Sequence, residues 1–211
     1  AWPLPSAKHK DVAALDIASL ILGQGESSRL NEALRIQRHI TNYVGASTFT
    51  PMDNGFFAAT ASFQYGDLED VIRGIFREIR KFLEEGPTEE ELRKALVNMN
   101  SEDFYSLETV DGMARKFGSF EHLFKDYRYH EKYLAQMNKL TGADVLKAFK
   151  KYLDPKKLSL IFMTGEDESK ATELLQTIFD EERELLIKKL KDKKTPGFKK
   201  KVKVSFAKSL K

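Results

Sequence analysis

Gly23-Gln-Gly-Glu-Ser-Ser-Arg-Leu-Asn-Glu-Ala-Leu-Arg-Ile-Gln-Arg38 is the stretch on which the reading of this chain turns. A strongly apolar helix, Val12 to Leu22, stops at Gly23, and a short glycine turn follows. Ser27 or Ser28 can then cap a second helix over Arg29 to Arg38. Leu30, Ala33 and Leu34 fall on one face of that helix at helical spacing. Taken alone, the stretch reads as a helix–turn–helix packing unit without chemistry.

Working outward, Trp2-Pro3-Leu4-Pro5 is extended, because each proline excludes helix from the residue before it. The helix from Val12 is apolar over most of its circumference, which predicts deep burial. After the central stretch, Ile40 to Thr50 and Phe56 to Tyr65 read as strands. Phe57, Ala59, Ala61, Phe63 and Tyr65 share one face of the second. Pro51 to Gly55 makes the turn between them, with Asn54-Gly55 expected to supply positive φ values. Asp67 is expected to cap a long helix that ends at Gly86-Pro87, and Thr88 with Glu91 forms a capping box for the next. Helices follow around 109–124 and 127–137, and from Thr141 to Leu153. Leu158 to Met163 reads as a short buried strand and Lys170 to Leu190 as the last helix. Val202 to Phe206 alternates again, like the start of a further strand. Two adjacent strands followed by a helical run predict an α+β two-layer sandwich, a mainly antiparallel sheet with helices packed on one face.

The chain has 211 residues, 41% apolar and 32% charged, and no cysteine. This is a globular composition with room for one good core. The missing cysteine excludes disulfides, thiol nucleophiles and cysteine-held metal. No apolar run reaches the roughly 18–20 residues of a membrane helix. The opening Ala1-Trp2-Pro3-Leu4-Pro5 does not resemble a signal peptide, and its abrupt start suggests a piece of a longer polypeptide or a trimmed mature form. The net charge of +3 hides an asymmetry: residues 188–211 hold eleven lysines against Asp192 alone, and the remainder is net acidic. That tail lacks arginine and has only two aromatics, so a specific nucleic-acid reader is not expected. A solvated linker is the simpler account.

The motifs of chemistry are missing. His9, His39, His122 and His130 form neither His-x-x-x-His nor His-x-x-Glu-His, and read as unpaired surface histidines. Glu89-Glu90-Glu91 is accounted for by a helix N-terminus. Ser27 and Ser28 have no histidine at triad spacing. Gly23-x-Gly25 follows a helix, where a dinucleotide fingerprint needs a strand.

In order, however, the pieces Trp2-x-Leu4-Pro5, Asp11-x-Ala13-Ala14-Leu15-Asp16, Ile21-Leu22-Gly23-x-Gly25-x-Ser27-Ser28-Arg29-Leu30, Asp53-x-Gly55-x-Phe57, Gly86-x-Thr88-x-x-Glu91-Leu92, Thr141-x-x-Asp144-Val145 and Lys151-Tyr152-Leu153-x-Pro155 make a set. Over about residues 1–165 the chain resembles the second, non-metal domain of the pitrilysin/insulysin/mitochondrial-processing-peptidase family of zinc metallopeptidases. The resemblance implies repeated α/β domains around a closed chamber. It also implies an upstream domain that carries the zinc ligands, a downstream second half, and peptide substrates. Zinc would then belong to the parent protein, with none bound by this fragment and no catalytic residue in it. Gly23, Gly25, Ser27, Ser28, Arg29, Leu30 and Arg35 are family-motif positions with an expected structural role. In the family's last domain a substrate-facing tyrosine follows Arg35's counterpart by seven residues. Here Asn42 stands at that spacing and Tyr43 one further on, which favours the second domain of the first half.

The expectation is therefore a non-catalytic, chamber-forming domain of a zinc metalloendopeptidase at residues 1–187. Residues 188–211 would be a lysine-rich linker leading into the next strand. The alternative is a domain of a catalytically inactive paralogue that serves as scaffold or substrate-binding subunit of an active partner. A third reading makes the lysine-rich tail an independent binder of anionic surfaces.

Overall fold

The computed structural model describes residues 1–165, 168–190 and 205–206. Its architecture is α+β. Strands β1 (Trp2–Leu4), β2 (Tyr43–Phe49) and β3 (Gly55–Ser62) form an antiparallel sheet in the order β1-β3-β2. In this sheet Ala46 stands opposite Ala59 and Trp2 opposite Phe57. Beside β1, Ala1 and Ser159 exchange both backbone hydrogen bonds, at 2.8 and 2.9 Å.

Strand alternation sorts the sheet into two unlike faces. Val44, Ala46 and Phe57 point inward and are at most 4% exposed. Against them pack helix α1 (Val12–Gly23), buried at every residue but Asp16, and helices α2 (Leu68–Glu85) and α6 (Gly142–Tyr152). The centre of the core is aromatic: Phe149 meets Phe57 and Phe82 edge-on, with ring centroids 5.2 and 5.1 Å apart, a favoured arrangement for paired rings. Helix α7 (Glu168–Leu190) lies along α2, held by Arg73 on Glu181 at 2.7 Å and by Arg80 on the buried Glu182. Helices α3 (Glu89–Ser106), α4 (Val110–Phe124) and α5 (Tyr129–Met137) make a looser lobe, in which α4 has no buried residue. No described helix is long and apolar enough to cross a membrane.

Start and stop signals act where sequence places them. Thr88 and Glu91 close a capping box on α3, Thr141 and Asp144 close another on α6, and Gly86 ends α2 at φ 73°. Four expectations need correction. Asp67 stands at the start of α2 but makes no side-chain cap bond. Neither Asn54 nor Gly55 has positive φ. Gly55 is already the first residue of β3, where an added Cβ would stand 1.9 Å from the Phe49 carbonyl oxygen. Close strand approach, not turn conformation, requires glycine there. The strand expected over Leu158–Met163 shrinks to β4 (Ile161–Phe162), with Ile161 and Met163 69% and 71% exposed. β4 pairs in parallel with β5 (Ser205–Phe206), while Val202 to Val204 lie outside the described residues.

The histidines are the fourth correction. His130 is buried between Phe117 and Phe120, its Nδ1 3.2 Å from the Tyr127 carbonyl. His9 accepts the Asp11 N–H at 3.1 Å and stands 3.3 Å from the Tyr152 hydroxyl.

Gly23 sets how closely α1 meets the sheet: a Cβ there would stand 1.8 Å from the Ala46 nitrogen. Gly23→Ala should therefore destabilise the fold by about 2 kcal/mol or more, the cost of overpacking against backbone. Gly25→Ala, with open space around it but φ +81°, should cost about 1–2 kcal/mol. Urea denaturation of the two variants checks the order.

Candidate functional site

The stretch after α1 is a junction of four elements. The chain turns at Gly25, and residues 29–36 are helical. From Asn31 to Ile36 the helix is the wide π form, in which the Gln37 N–H donates to the Glu32 carbonyl five residues back. Ser27 is exposed and neither serine caps this helix by accepting a backbone N–H. The buried Ser28 hydroxyl instead donates to the Gly25 carbonyl at 2.7 Å and accepts from Asn31 Nδ2 at 3.1 Å. Asn31 Nδ2 also donates to Val44 O in β2, at 3.1 Å. Leu30 and Leu34 are fully buried, and Leu34 packs on Gly74 of α2. Arg35 is exposed and has no ion pair among the described residues.

Arg29 completes the junction. Its Nε and Nη2 donate to the two carboxylate oxygens of Glu91 at 2.7 and 2.8 Å. Nη2 also donates to the Gly86 carbonyl at 2.8 Å, and the guanidinium lies 5.1 Å over the Phe82 ring. Glu91 is meanwhile the capping-box residue of α3, accepting the Thr88 N–H at 2.8 Å. One carboxylate thus ends a fork from Arg29 and starts a helix. Burial works against charge on both partners. Their mutual bonds outweigh it, so Arg29 is held above the usual arginine range and Glu91 below the usual glutamate range.

Two further polar nodes flank α1. Asp11 accepts from Lys151 Nζ at 2.7 Å and from the Tyr152 hydroxyl at 3.0 Å. Burial pushes its carboxyl up, and these bonds more than offset that, leaving it low. Asp16 accepts hydroxyl bonds from Thr48 of β2 and Tyr133 of α5. Here burial wins and the carboxyl is raised, while Tyr133 is raised well above its ordinary value by burial and by the Asp16 charge. Sequence reading missed the Asp16 node, although a lone acid in an otherwise apolar helix was a usable signal.

The second surface of interest is the outer face of the sheet. Tyr43, Ser47 and Phe49 of β2 and Phe56, Thr60 and Ser62 of β3 point away from the helices and are exposed. The Phe49 and Phe56 rings pair at 5.5 Å. No outward position of the β2–β3 pair is charged. Among the described residues no group of three or more His, Cys, Asp or Glu stands where it could hold a metal ion.

Residues 1–99 match the family model of the peptidase M16 inactive domain. The chain is similar in structure to a protease from Helicobacter pylori (TM-score 0.63, 24% identity), covering 72% of this chain and 37% of that one. It is similar to the peptidase M16 inactive domain from Pseudomonas fluorescens (TM-score 0.65, 21% identity), covering 72% and 36%. It also resembles the inactive peptidase domain of a proposed zinc protease from Bordetella parapertussis (TM-score 0.63, 19% identity), covering 74% and 85%. The chain thus spans little more than a third of the first two. No curated protein matches it.

The nodes give opposite pH signatures. Glu91 titrates lower in the folded state, so its contribution is present above its unfolded value of about 4.3 and is lost as pH falls through the folded value. The stability gap between wild type and Glu91→Gln should therefore shrink in acid. Asp16 titrates higher when folded, so its contribution is present below about 3.9 and is lost as pH rises through the folded value. Stability of wild type relative to Asp16→Asn should grow as pH falls. Urea unfolding from pH 3 to 7 reads both slopes.

Proposed function

We infer that this chain, whose residues 1–99 match the peptidase M16 inactive-domain model, forms a non-catalytic section of the chamber wall of a zinc metalloendopeptidase. On this reading zinc and its ligands belong to an upstream domain, the second half of the enzyme lies downstream, and the substrates are peptides that enter the chamber. We place the domain at residues 1–187. The lysine-rich stretch 188–211 would be the linker, its first three residues finishing α7. The family-motif residues Gly23, Gly25, Ser27, Ser28, Arg29, Leu30 and Arg35 serve the fold and not the chemistry.

The observation that supports this reading is the outer sheet face, exposed at most of its positions, uncharged and built mainly of small side chains apart from Tyr43, Phe49 and Phe56. Such a face can lie beside an extended peptide without desolvating any charge of its own.

Two measurements test the reading. The longer polypeptide should hold one zinc per chain and lose peptide cleavage to a chelator, whereas the 211-residue chain alone should cleave nothing. Chelator-sensitive turnover by this chain alone would refute it. In the longer polypeptide, Ser47→Trp on the outer face should lower kcat/KM severalfold for a long peptide and leave a short one nearly unchanged. Equal kcat/KM for the long peptide in both forms would count against the wall.

A further inference from the structure

Neither the junction nor the sheet face uses the outer side of α3. Of its 18 residues only Ala95 is buried. Leu92 and Leu96 are half-buried, while Val97, Phe104 and Tyr105 are 51%, 66% and 65% exposed. These residues line an open groove of about 660 Å³ along the helix. Its side is stiffened by a reciprocal amide pair, Asn100 with Asn138 of α5, at 3.0 and 3.2 Å. Contiguous apolar exposure of this kind, with aromatics and an arginine, has the composition of an interface.

The helix also shows what would cover it. Arg93, Val97, Asn100 and Phe104 follow one another at spacings of four, three and four, so they lie on one stripe. The twelve residues from Arg93 to Phe104 make about three helical turns. At one end stands an exposed cation that makes no salt bridge among the described residues. At the other stand two aromatic rings packed edge to face, with centroids 6.0 Å apart. The two ends of the stripe are complementary to each other.

We propose that α3 pairs with α3 of a second copy of this chain, antiparallel about a two-fold axis between Asn98 and Met99. That register lays Arg93 over the partner's Phe104 and Val97 beside the partner's Asn100. By symmetry each contact occurs twice, as an isologous interface requires. The cation meets a ring face, an attraction that strengthens as water leaves. Antiparallel packing also opposes the two helix dipoles.

Sedimentation velocity of the 211-residue chain over a concentration series should show a monomer–dimer equilibrium. Phe104→Glu should weaken it at least tenfold, and circular dichroism should be unchanged because that side chain is mostly exposed. Arg93→Glu should weaken it too. The chain has no cysteine, so the register can be read directly. An equimolar mixture of Val97→Cys and Asn100→Cys chains should form a disulfide between copies faster than either variant alone. A monomer at every concentration would overturn the proposal. So would a dimer indifferent to Phe104→Glu, or cross-linking no faster in the mixture. A groove protected only within a longer polypeptide, with this chain monomeric, would assign the surface to a neighbouring domain and overturn the proposal as well.

Discussion

The fork between Arg29 and Glu91 is the constraint on which the rest of this structure depends. It joins residues 62 apart in sequence, and each partner is already committed to a second task. Arg29 also holds the Gly86 carbonyl, where α2 has just ended, and lies over the Phe82 ring. Glu91 also fixes the first turn of α3. The turn after α1, the end of α2 and the start of α3 are therefore positioned by one planar group. A lysine could supply the charge but not the fork. Asn31 performs a smaller version of the same work toward β2.

The other family-motif pieces meet in a similar way. Asp11, at the mouth of α1, bonds to Lys151 and Tyr152 at the end of α6. Asp16 bonds to Thr48 and Tyr133, tying α1 to the sheet and to the helical lobe. Several of the ordered pieces that carry the family resemblance are thus mutual partners across the fold. Their burial and hydrogen bonding tie the elements together and leave the outer sheet face open.

How much of this was legible follows from the range of each interaction. Local signals read well. The all-round apolar α1, the capping box Thr88–Glu91, the stop at Gly86 and the inward set Phe57, Ala59, Ala61 depend on residues a few positions apart. Long-range partners did not read at all. Nothing near Arg29 announces Glu91, and nothing near His130 announces that Phe117 and Phe120 will bury it. The π form over Asn31–Ile36 was hidden for another reason: over so short a span, a wide turn and an α-turn place Leu30 and Leu34 on nearly the same face. At Asn54-Gly55 a familiar turn pair misled, because the glycine answers to the neighbouring Phe49 carbonyl. The candidate site was legible as a motif and not as a geometry.

A double-mutant cycle on Arg29→Ala and Glu91→Ala, read by urea unfolding at pH 7, tests the central claim most directly. A forked, charge-assisted pair whose partners are largely withdrawn from water predicts a coupling of about 1.5–3 kcal/mol. Strictly additive single effects, with coupling near zero, would mean that the turn, α2 and α3 hold their places without this contact, and would contradict the account.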